Sequence, residues 1–535
     1  MDSTTPETFD AIIIGAGISG LYQLYRLREL GLTVRVFEAG SGVGGTWYWN
    51  RYPGARFDSE SYTYAYSFSK PLLEEWDWSE HFAAQPETLR YLETVADKFD
   101  LRRDISFHSR IKRATYHALQ NCWKIETDTG EVARARFLIT AVGVLSAPYT
   151  PEIPGIEDFK GSSWHTAHWP HAPVDLSDQR VAIIGTGATA VQLITEVAKN
   201  VGHLTVFQRT PNFCVPLNNR PITAAEQPAL KARYLEMFKR CRETYGAFIH
   251  DFDPRSIFSV EAGAREAMFE ALWQAPGFGL WLGNFHDIMT DEKANAILAD
   301  FVRRKIRQRI NDPKVADLLT PRDHCFGTKR VPLESGYYEA YNRPNVRLID
   351  LRATPIECLT ARGIKTGYTE FEFDVIIFAT GFDAVTGALT RIDVQGESGQ
   401  RLKDKWRDGP RTYLGLQVAG FPNLFTVVGP HNAANFCNVP RCIEQNVEWV
   451  TACIRYLREH RLERIAATEE AEELWRAHCE EVVAGTLFPT ANSWFMGANI
   501  PGKKRMFLAY GGGLPRYRAK CEEVAAQGYA GFVLE

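Results

Sequence analysis

FDAIIIGAGISGLYQLYRLRELGLTVRVFE, residues 9–38, decides the fold. Phe9 to Ile14 is an unbroken apolar run, the pattern of a strand covered on both faces of a parallel sheet. Gly15-Ala16-Gly17-Ile18-Ser19-Gly20 then breaks the run. Leu21, Leu24, Leu27 and Leu30 follow at helical spacing, and Gly31 ends them. Val34 to Phe37 is a second strand, closed by Glu38. A strand, glycine turn, helix and strand in this order predict a dinucleotide-binding unit. Gly15 permits the tight turn, Gly17 lets a pyrophosphate reach the backbone, and Gly20 lets helix and strand pack closely. The helix N-terminus offers free N–H groups to the phosphates. Glu38 supplies a carboxylate for ribose hydroxyls, the preference of an unphosphorylated adenosine ribose such as that of FAD.

The same plan returns over residues 180–209. Val181 to Ile184 is a strand, Gly185-Thr186-Gly187-Ala188-Thr189-Ala190 the turn, Val191 to Val197 the helix, and Leu204 to Phe207 the second strand. The residue closing this unit is Arg209. An acid there repels a 2′-phosphate, whereas an arginine pairs with it. The second unit therefore reads as an NADPH site, with Gly185, Gly187, Thr189, Arg209 and Thr210 as its contacts.

Two more buried-strand patterns, Arg136 to Ala141 and Phe373 to Thr380, stop at Gly143 and Gly381 and mark where the chain crosses between units. Pro148, Pro151 and Pro154 make the first crossing extended. Residues 221–324 lack glycine motifs and read as mostly helical, as in Leu230, Tyr234, Met237 and Cys241. The predicted fold is α/β, with two Rossmann-like dinucleotide-binding domains and a helical insertion. Residues 1–145 and 385–535 form the FAD domain, 146–220 and 325–384 the NADPH domain, and 221–324 the insertion.

Composition narrows the function classes. The 535 residues carry a net charge of −4, from 61 basic and 65 acidic side chains, which gives no reason to expect nucleic acid or an anionic membrane. Met1 to Asp10 is polar, with no basic and apolar leader, and no apolar run reaches the ~20 residues of a membrane helix. The ten cysteines are scattered and read as free thiols in a reducing cytoplasm. Cys437 and Cys442 have the spacing of a flavin-reductase disulfide, but in such enzymes the pair follows the first unit directly. Here that stretch, Gly44 to Asp58, holds no cysteine. His165, His168 and His171 recur at spacing three, but Pro170 and Pro173 prevent a helix from aligning them, so no metal site is expected. Arg303, Arg304, Lys305, Arg307 and Arg309 read as one solvated helix face. Trp47, Tyr48, Trp49, Tyr52, Tyr62, Tyr64 and Tyr66 form an aromatic belt that suits core packing and a ketone pocket equally.

Gly44-Gly45-Thr46-Trp47, Tyr52-Pro53-Gly54 and Asp58 resemble the flavin-side signature of type I Baeyer–Villiger monooxygenases. Phe159-Lys160-Gly161-Ser162-Ser163-Trp164-His165-Thr166-Ala167-His168-Trp169-Pro170 resembles the fingerprint of that family, F-x-G-x-x-x-H-x-x-x-W-P, at every fixed position. The resemblance implies conversion of ketones to esters or lactones with FAD, NADPH and O2 through a flavin C4a-peroxide, with sulfides as side substrates. It implies that Gly45, Thr46 and Trp47 touch the flavin. It makes Arg330, in Gly327-Thr328-Lys329-Arg330, the catalytic cation, and Asp58 its partner. An arginine suits this role because it keeps its charge at any working pH. Lys329 becomes a second contact to the 2′-phosphate and Trp494 a contact to the nicotinamide-side ribose, with Lys503 near the same cofactor. His165 is expected to couple the fingerprint to domain movement. Two other classes fit the glycine motifs: an N- or S-oxygenating flavin monooxygenase, which lacks the Trp169-Pro170 ending, and a non-oxygenating flavoprotein.

Overall fold

The computed structural model describes residues 6–535; Met1 to Thr5, half of the polar N-terminal stretch, lie outside the described residues. Two separate sheets organise the chain. In the first, Glu7–Ile14 lies at the centre, parallel to Val34–Phe37 on one side and to Val132–Thr140 on the other. Its inner half, Ala11 to Ile14, is buried throughout, as a continuous apolar run requires. Antiparallel strands Ile111–His117 and Cys122–Thr127 extend this sheet. Ile105–Ser106 lies parallel to Val34–Phe37 at one edge, and two strands from late in the chain complete the sheet: Leu424–Thr426 joins Val132–Thr140, and Asp393–Gln395 joins Ile111–His117.

The second sheet has five strands in the order 346–350, 203–208, 180–184, 375–378, 162–165. Every pairing is parallel. Each sheet carries one glycine turn leading into one helix, Ile18–Glu29 and Ala188–Val197 respectively. The architecture is α/β with two dinucleotide-binding units.

Helix Val439–Glu459 packs across Ile18–Glu29, and Gln23 Nε2 donates to Thr451 Oγ1 at 3.1 Å. Residues 221–324 form successive α-helices, Glu292–Gln308 being the longest. The five cations of its basic run are engaged in ion pairs: Arg303 with Asp300, Arg304 with Glu266, Lys305 with Glu270, Arg307 with Asp317 and Arg309 with Glu334. One expectation is corrected. Cys437 and Cys442 are joined as a disulfide at the start of helix Val439–Glu459, so the thiols are not all free. The eight other cysteines are unpaired.

The two chain crossings between the sheets run side by side. Tyr149 N–H donates to Gly381 O at 2.9 Å, Asp383 N–H donates to Ala147 O at 2.8 Å, and Pro148 and Phe382 form a β-bridge between them.

Candidate active site

The first glycine turn is closed on itself. A Cβ on Gly20 would lie 1.8 Å from Gly15 O, and one on Gly15, whose φ is +103°, would lie 2.6 Å from Ala141 O. Gly17 and Gly45 approach backbone to backbone, since a Cβ on Gly17 would meet Gly45 Cα at 3.3 Å. This contact brings the Gly45-Thr46-Trp47 segment to the turn. Glu38 ends strand Val34–Phe37 and accepts from Ala16 N–H at 2.8 Å and Gly40 N–H at 2.7 Å. Its two oxygens have further lone pairs with which to accept ribose hydroxyls.

The second turn is open. Gly185 repeats the strained φ, at +113°, but a Cβ on Gly187 would meet nothing within 4 Å. Gly187 faces a cavity of about 1090 Å³ between the two units. Thr189, Arg209, Thr210 and Lys329 line it from the second unit; Thr46, Trp47 and Asp58 line it from the first; Arg330 and Trp494 complete it.

Asp58 and Arg330 come together in its wall. Arg330 Nη1 lies 2.7 Å from Asp58 Oδ2, and the Arg330 guanidinium sits 5.4 Å from the Phe278 ring centroid. The Arg330 backbone is braced, since Asn212 Nδ2 donates to Arg330 O at 2.8 Å. The loop carrying Asp58 is tied to helix Ala188–Val197 through Gln192, which accepts from Tyr52 Oη at 2.9 Å and donates to Arg56 O at 3.0 Å. The pair thus depends on contacts from both units.

Lys329 is only partly offset by Asp323, whose Oδ2 lies 4.0 Å from Nζ. Burial, with Arg209 and Arg352 close by, pushes its ammonium below the ordinary lysine range against the pull of Asp323. Arg209 and Lys329 at one end of the cavity, with the charge of Arg352 close behind Lys329, make an anion site. Arg352 escapes sequence reading because it follows strand Val346–Asp350, whose register pairs Asp350 with Gln208 and so sets Arg352 near Arg209. Only that register reveals it. Gln192, on helix Ala188–Val197, and Phe248 and Phe278 of the helical insertion also line the cavity, and only the packing of these segments reveals them.

Trp494 opens a short 3-10 helix and packs on Phe495, with ring centroids 4.2 Å apart. Lys503, from the same C-terminal segment, is held at the second crossing. Its Nζ lies 2.6 Å from Asp383 Oδ1 and donates to Ala384 O at 2.8 Å. Asn499 Nδ2 donates to Phe382 O at 2.8 Å. On the other side of that crossing, His165 Nδ1 accepts from Ala167 N–H, which leaves Nε2–H to donate to Gly381 O at 3.1 Å. Burial, with His168 adding to it, lowers the His165 imidazole to about 4, so it is neutral at pH 7. The aromatic belt divides. Trp47, Tyr52 and Tyr64 line the cavity, whereas Tyr66 is core, packed at tilted angles among Tyr22, Phe68 and Tyr91.

The site fits two dinucleotides. Asp58 Oδ1, Asn435 Oδ1, Ser493 Oγ and Asn499 Oδ1 are buried, lack hydrogen-bond partners and belong to residues lining the cavity. Buried polar atoms left without partners at a cavity call for a polar ligand. The cations at Arg209, Lys329 and Arg352 suit a 2′-phosphate, and the Gly17–Gly45 contact suits the pyrophosphate of the other dinucleotide.

The family model for pyridine nucleotide-disulphide oxidoreductases matches residues 12–242. A 2-oxo-Delta(3)-4,5,5-trimethylcyclopentenylacetyl-CoA monooxygenase of Pseudomonas putida is 46% identical over 98% of this chain and 98% of its own length. A Baeyer–Villiger monooxygenase of Pseudooceanicola batsensis is 43% identical over 99% and 97%. A phenazine N-monooxygenase of Lysobacter antibioticus is 44% identical over 98% and 97%. A crystal structure of OTEMO complexed with FAD and NADP superimposes with a TM-score of 0.96 at 46% identity, covering 99% of this chain and 100% of that one. Two dinucleotide units around one cavity, with these relatives, place the chain among the flavoprotein monooxygenases. Within that class, the chain belongs to the Baeyer–Villiger monooxygenase family.

Proposed function

We propose that this protein inserts one oxygen atom of O2 beside the carbonyl of a ketone, giving an ester or lactone, with FAD as prosthetic group and NADPH as reductant. The observation that carries the reading is the Asp58–Arg330 ion pair in the wall of a cavity shared by two dinucleotide units. When bound, FAD reduced by NADPH supplies the oxygen-activating chemistry.

The side chains divide the remaining work. Gly15, Gly17 and Gly20 admit the FAD pyrophosphate, Glu38 accepts from its ribose, and Gly45, Thr46 and Trp47 border its ring. Gly185, Gly187 and Thr189 admit the NADPH pyrophosphate. Arg209, Thr210 and Lys329 hold the 2′-phosphate, and Trp494 covers the nicotinamide-side ribose. Arg330 supplies a permanent positive charge where negative charge develops on the substrate oxygen, the electrostatic term that dominates many enzymes. Asp58 orients that guanidinium and keeps the net charge of the pair near zero before reaction. Phe248 and Phe278 give the ketone an apolar wall.

The reading includes the domain division at residues 1–145, 146–220, 221–324, 325–384 and 385–535. Sheet membership supports it: Asp393–Gln395 and Leu424–Thr426 join the first sheet, and Val346–Asp350 and Val375–Phe378 the second. The described residues contain no helix long and apolar enough to cross a membrane. The proposal places the reaction in the cytoplasm, where NADPH is supplied.

The test is product mass from a panel of cyclic and linear ketones with NADPH and air, for wild type and Arg330→Ala. Wild type is expected to add one oxygen with ester fragmentation. The variant is expected to lose about 10²- to 10³-fold in ester formation while NADPH still reduces its flavin. Ester formation by the variant near the wild-type rate would falsify the role of Arg330. A second reading, oxygenation of ring nitrogen, is favoured by the 44% identity to the phenazine N-monooxygenase. N-oxide from a heteroaromatic amine, with no ester from any ketone, would replace the first reading by the second.

A further inference from the structure

Two carboxylates stand two residues apart on the loop that enters the cavity, and they meet opposite surroundings. Asp58 faces Arg330 at 2.7 Å. Glu60 turns away, behind the aromatic wall. It is 3% exposed, and its Oε2 has no partner. Its Oε1 lies against the insertion, where a Cβ on Gly277 would come within 3.1 Å of it and 3.2 Å of Phe82 Cζ. Among the described residues no lysine or arginine pairs with Glu60; its one charged-group neighbour is His250, with Nδ1 at 3.9 Å from Oε1.

His250 belongs to the same wall. Its ring stacks on Phe248 at 5.4 Å and 5°, Phe248 meets Phe278 edge-on at 5.3 Å, and Phe278 carries Arg330. His250 Nε2 is buried and unpartnered. The other titratable groups felt here are Tyr62 and Cys241, both neutral in this setting because burial raises them. Arg220 and Arg233 act on Tyr62, Arg240 and Arg441 on Cys241, and Arg240 on His250. A buried carboxylate without a cation costs far more than a buried carboxylic acid.

We propose that Glu60, coupled to His250, is a positioning residue that holds one proton as the uncharged acid behind the Phe248–Phe278 wall, so that Arg330 answers to a single carboxylate, Asp58. The inference rests on the role given above to Arg330. His250 Nδ1, 3.9 Å from Oε1, is the nearest acceptor for the acid hydrogen, and a small shift of either side chain brings the two into hydrogen-bond range. Burial raises the Glu60 carboxyl to about 7, and burial lowers the His250 imidazole to about 4, so the proton belongs to Glu60. When Glu60 ionises, a second anion appears on the loop that holds Asp58. The local field then opposes the negative charge that Arg330 is placed to stabilise.

Glu60→Gln keeps shape and neutrality but cannot ionise. The wild-type minus Glu60→Gln infrared difference spectrum of the holoenzyme should show a protonated-carboxyl C=O stretch that disappears between about pH 6 and pH 8. Over that range wild-type ester yield per NADPH oxidised should fall about threefold, while the variant stays flat with its flavin reduction rate kept. Absence of the band, or an equal alkaline fall in the variant, overturns the proposal. Where Glu60→Gln does not retain flavin, Glu60→Leu serves for the same subtraction. The band reports on Glu60 alone, so it separates failure of this inference from failure of the Arg330 role, which Arg330→Ala tests directly.

Discussion

The two glycine turns share one plan and have opposite finishes. In the first, Gly20 packs so tightly on Gly15 that a Cβ has no room, Gly17 is met by Gly45, and an acid closes the unit. In the second, Ala190 takes the place of that third glycine, Gly187 looks into open cavity, and arginine closes the unit. The glycine motif therefore specifies a pyrophosphate and little more. In the proposed function, the choice of dinucleotide falls to the strand-end residue and to what the rest of the chain brings to it: Gly45 on one side, Lys329 and Arg352 on the other.

The sharpest way to break this contrast is at the third position. Gly20→Ala should cost about 3 kcal/mol or more and leave protein without bound flavin, because the methyl meets backbone rather than a movable side chain. Ala190→Gly should cost about 1 kcal/mol, the ordinary helix penalty. Flavin absorbance per protein and melting temperature decide; equal losses at the two positions would erase the distinction between the turns.

His165, which ties the fingerprint to the second crossing, gives a pH-dependent test. Its folded form is neutral, with the imidazole lowered from 6.5 to about 4. Below about pH 6.5 the unfolded chain takes up a proton that the folded chain refuses, so stability falls as pH drops toward about 4 and is fully present above about 6.5. The loss is about 3 kcal/mol at most. His165→Gln should flatten that part of the melting profile. An unchanged acid limb would show that burial of the neutral His165 ring does not set it.

Cofactor choice gives smaller effects. Arg209→Glu should raise KM for NADPH about 50-fold and improve use of NADH, the size of one charge-assisted contact turned repulsive. An unchanged NADPH-to-NADH ratio would remove Arg209 from the 2′-phosphate. Arg352, whose side chain is 52% exposed, should matter least. Arg352→Ala should raise KM for NADPH about threefold at low salt and negligibly at high salt. An equal change with NADH would show that Arg352 does not meet the 2′-phosphate.

Both dinucleotide units were legible because each turn and its closing residue, Gly15 with Glu38 and Gly185 with Arg209, lie within one short strand–helix–strand passage. Asp58 and Arg330 are far apart in sequence and could be paired only through the family resemblance; nothing in either neighbourhood announces the other. Arg352 depends on strand register, and Phe248, Phe278 and His250 depend on how the helical insertion packs, which its periodicity does not specify. The Cys437–Cys442 disulfide is not legible from the spacing alone, because it is the start of helix Val439–Glu459 that brings the two residues together.

The bridged crossings at Tyr149 and Gly381 also bear on how such a gene is assembled. Entry into the second unit and exit from it occur at one place in space, so a coding segment spliced in at a single point supplies both joints at once. Any exchange of the segment between the two joints would have to keep the Tyr149–Gly381 and Asp383–Ala147 bonds that hold them together. The residues that must be re-matched after such an exchange are those touching the joint from outside it, Asn499 and Lys503, and those docking the insertion on the first unit, such as Asn438, whose N–H donates to Gly246 O at 2.8 Å.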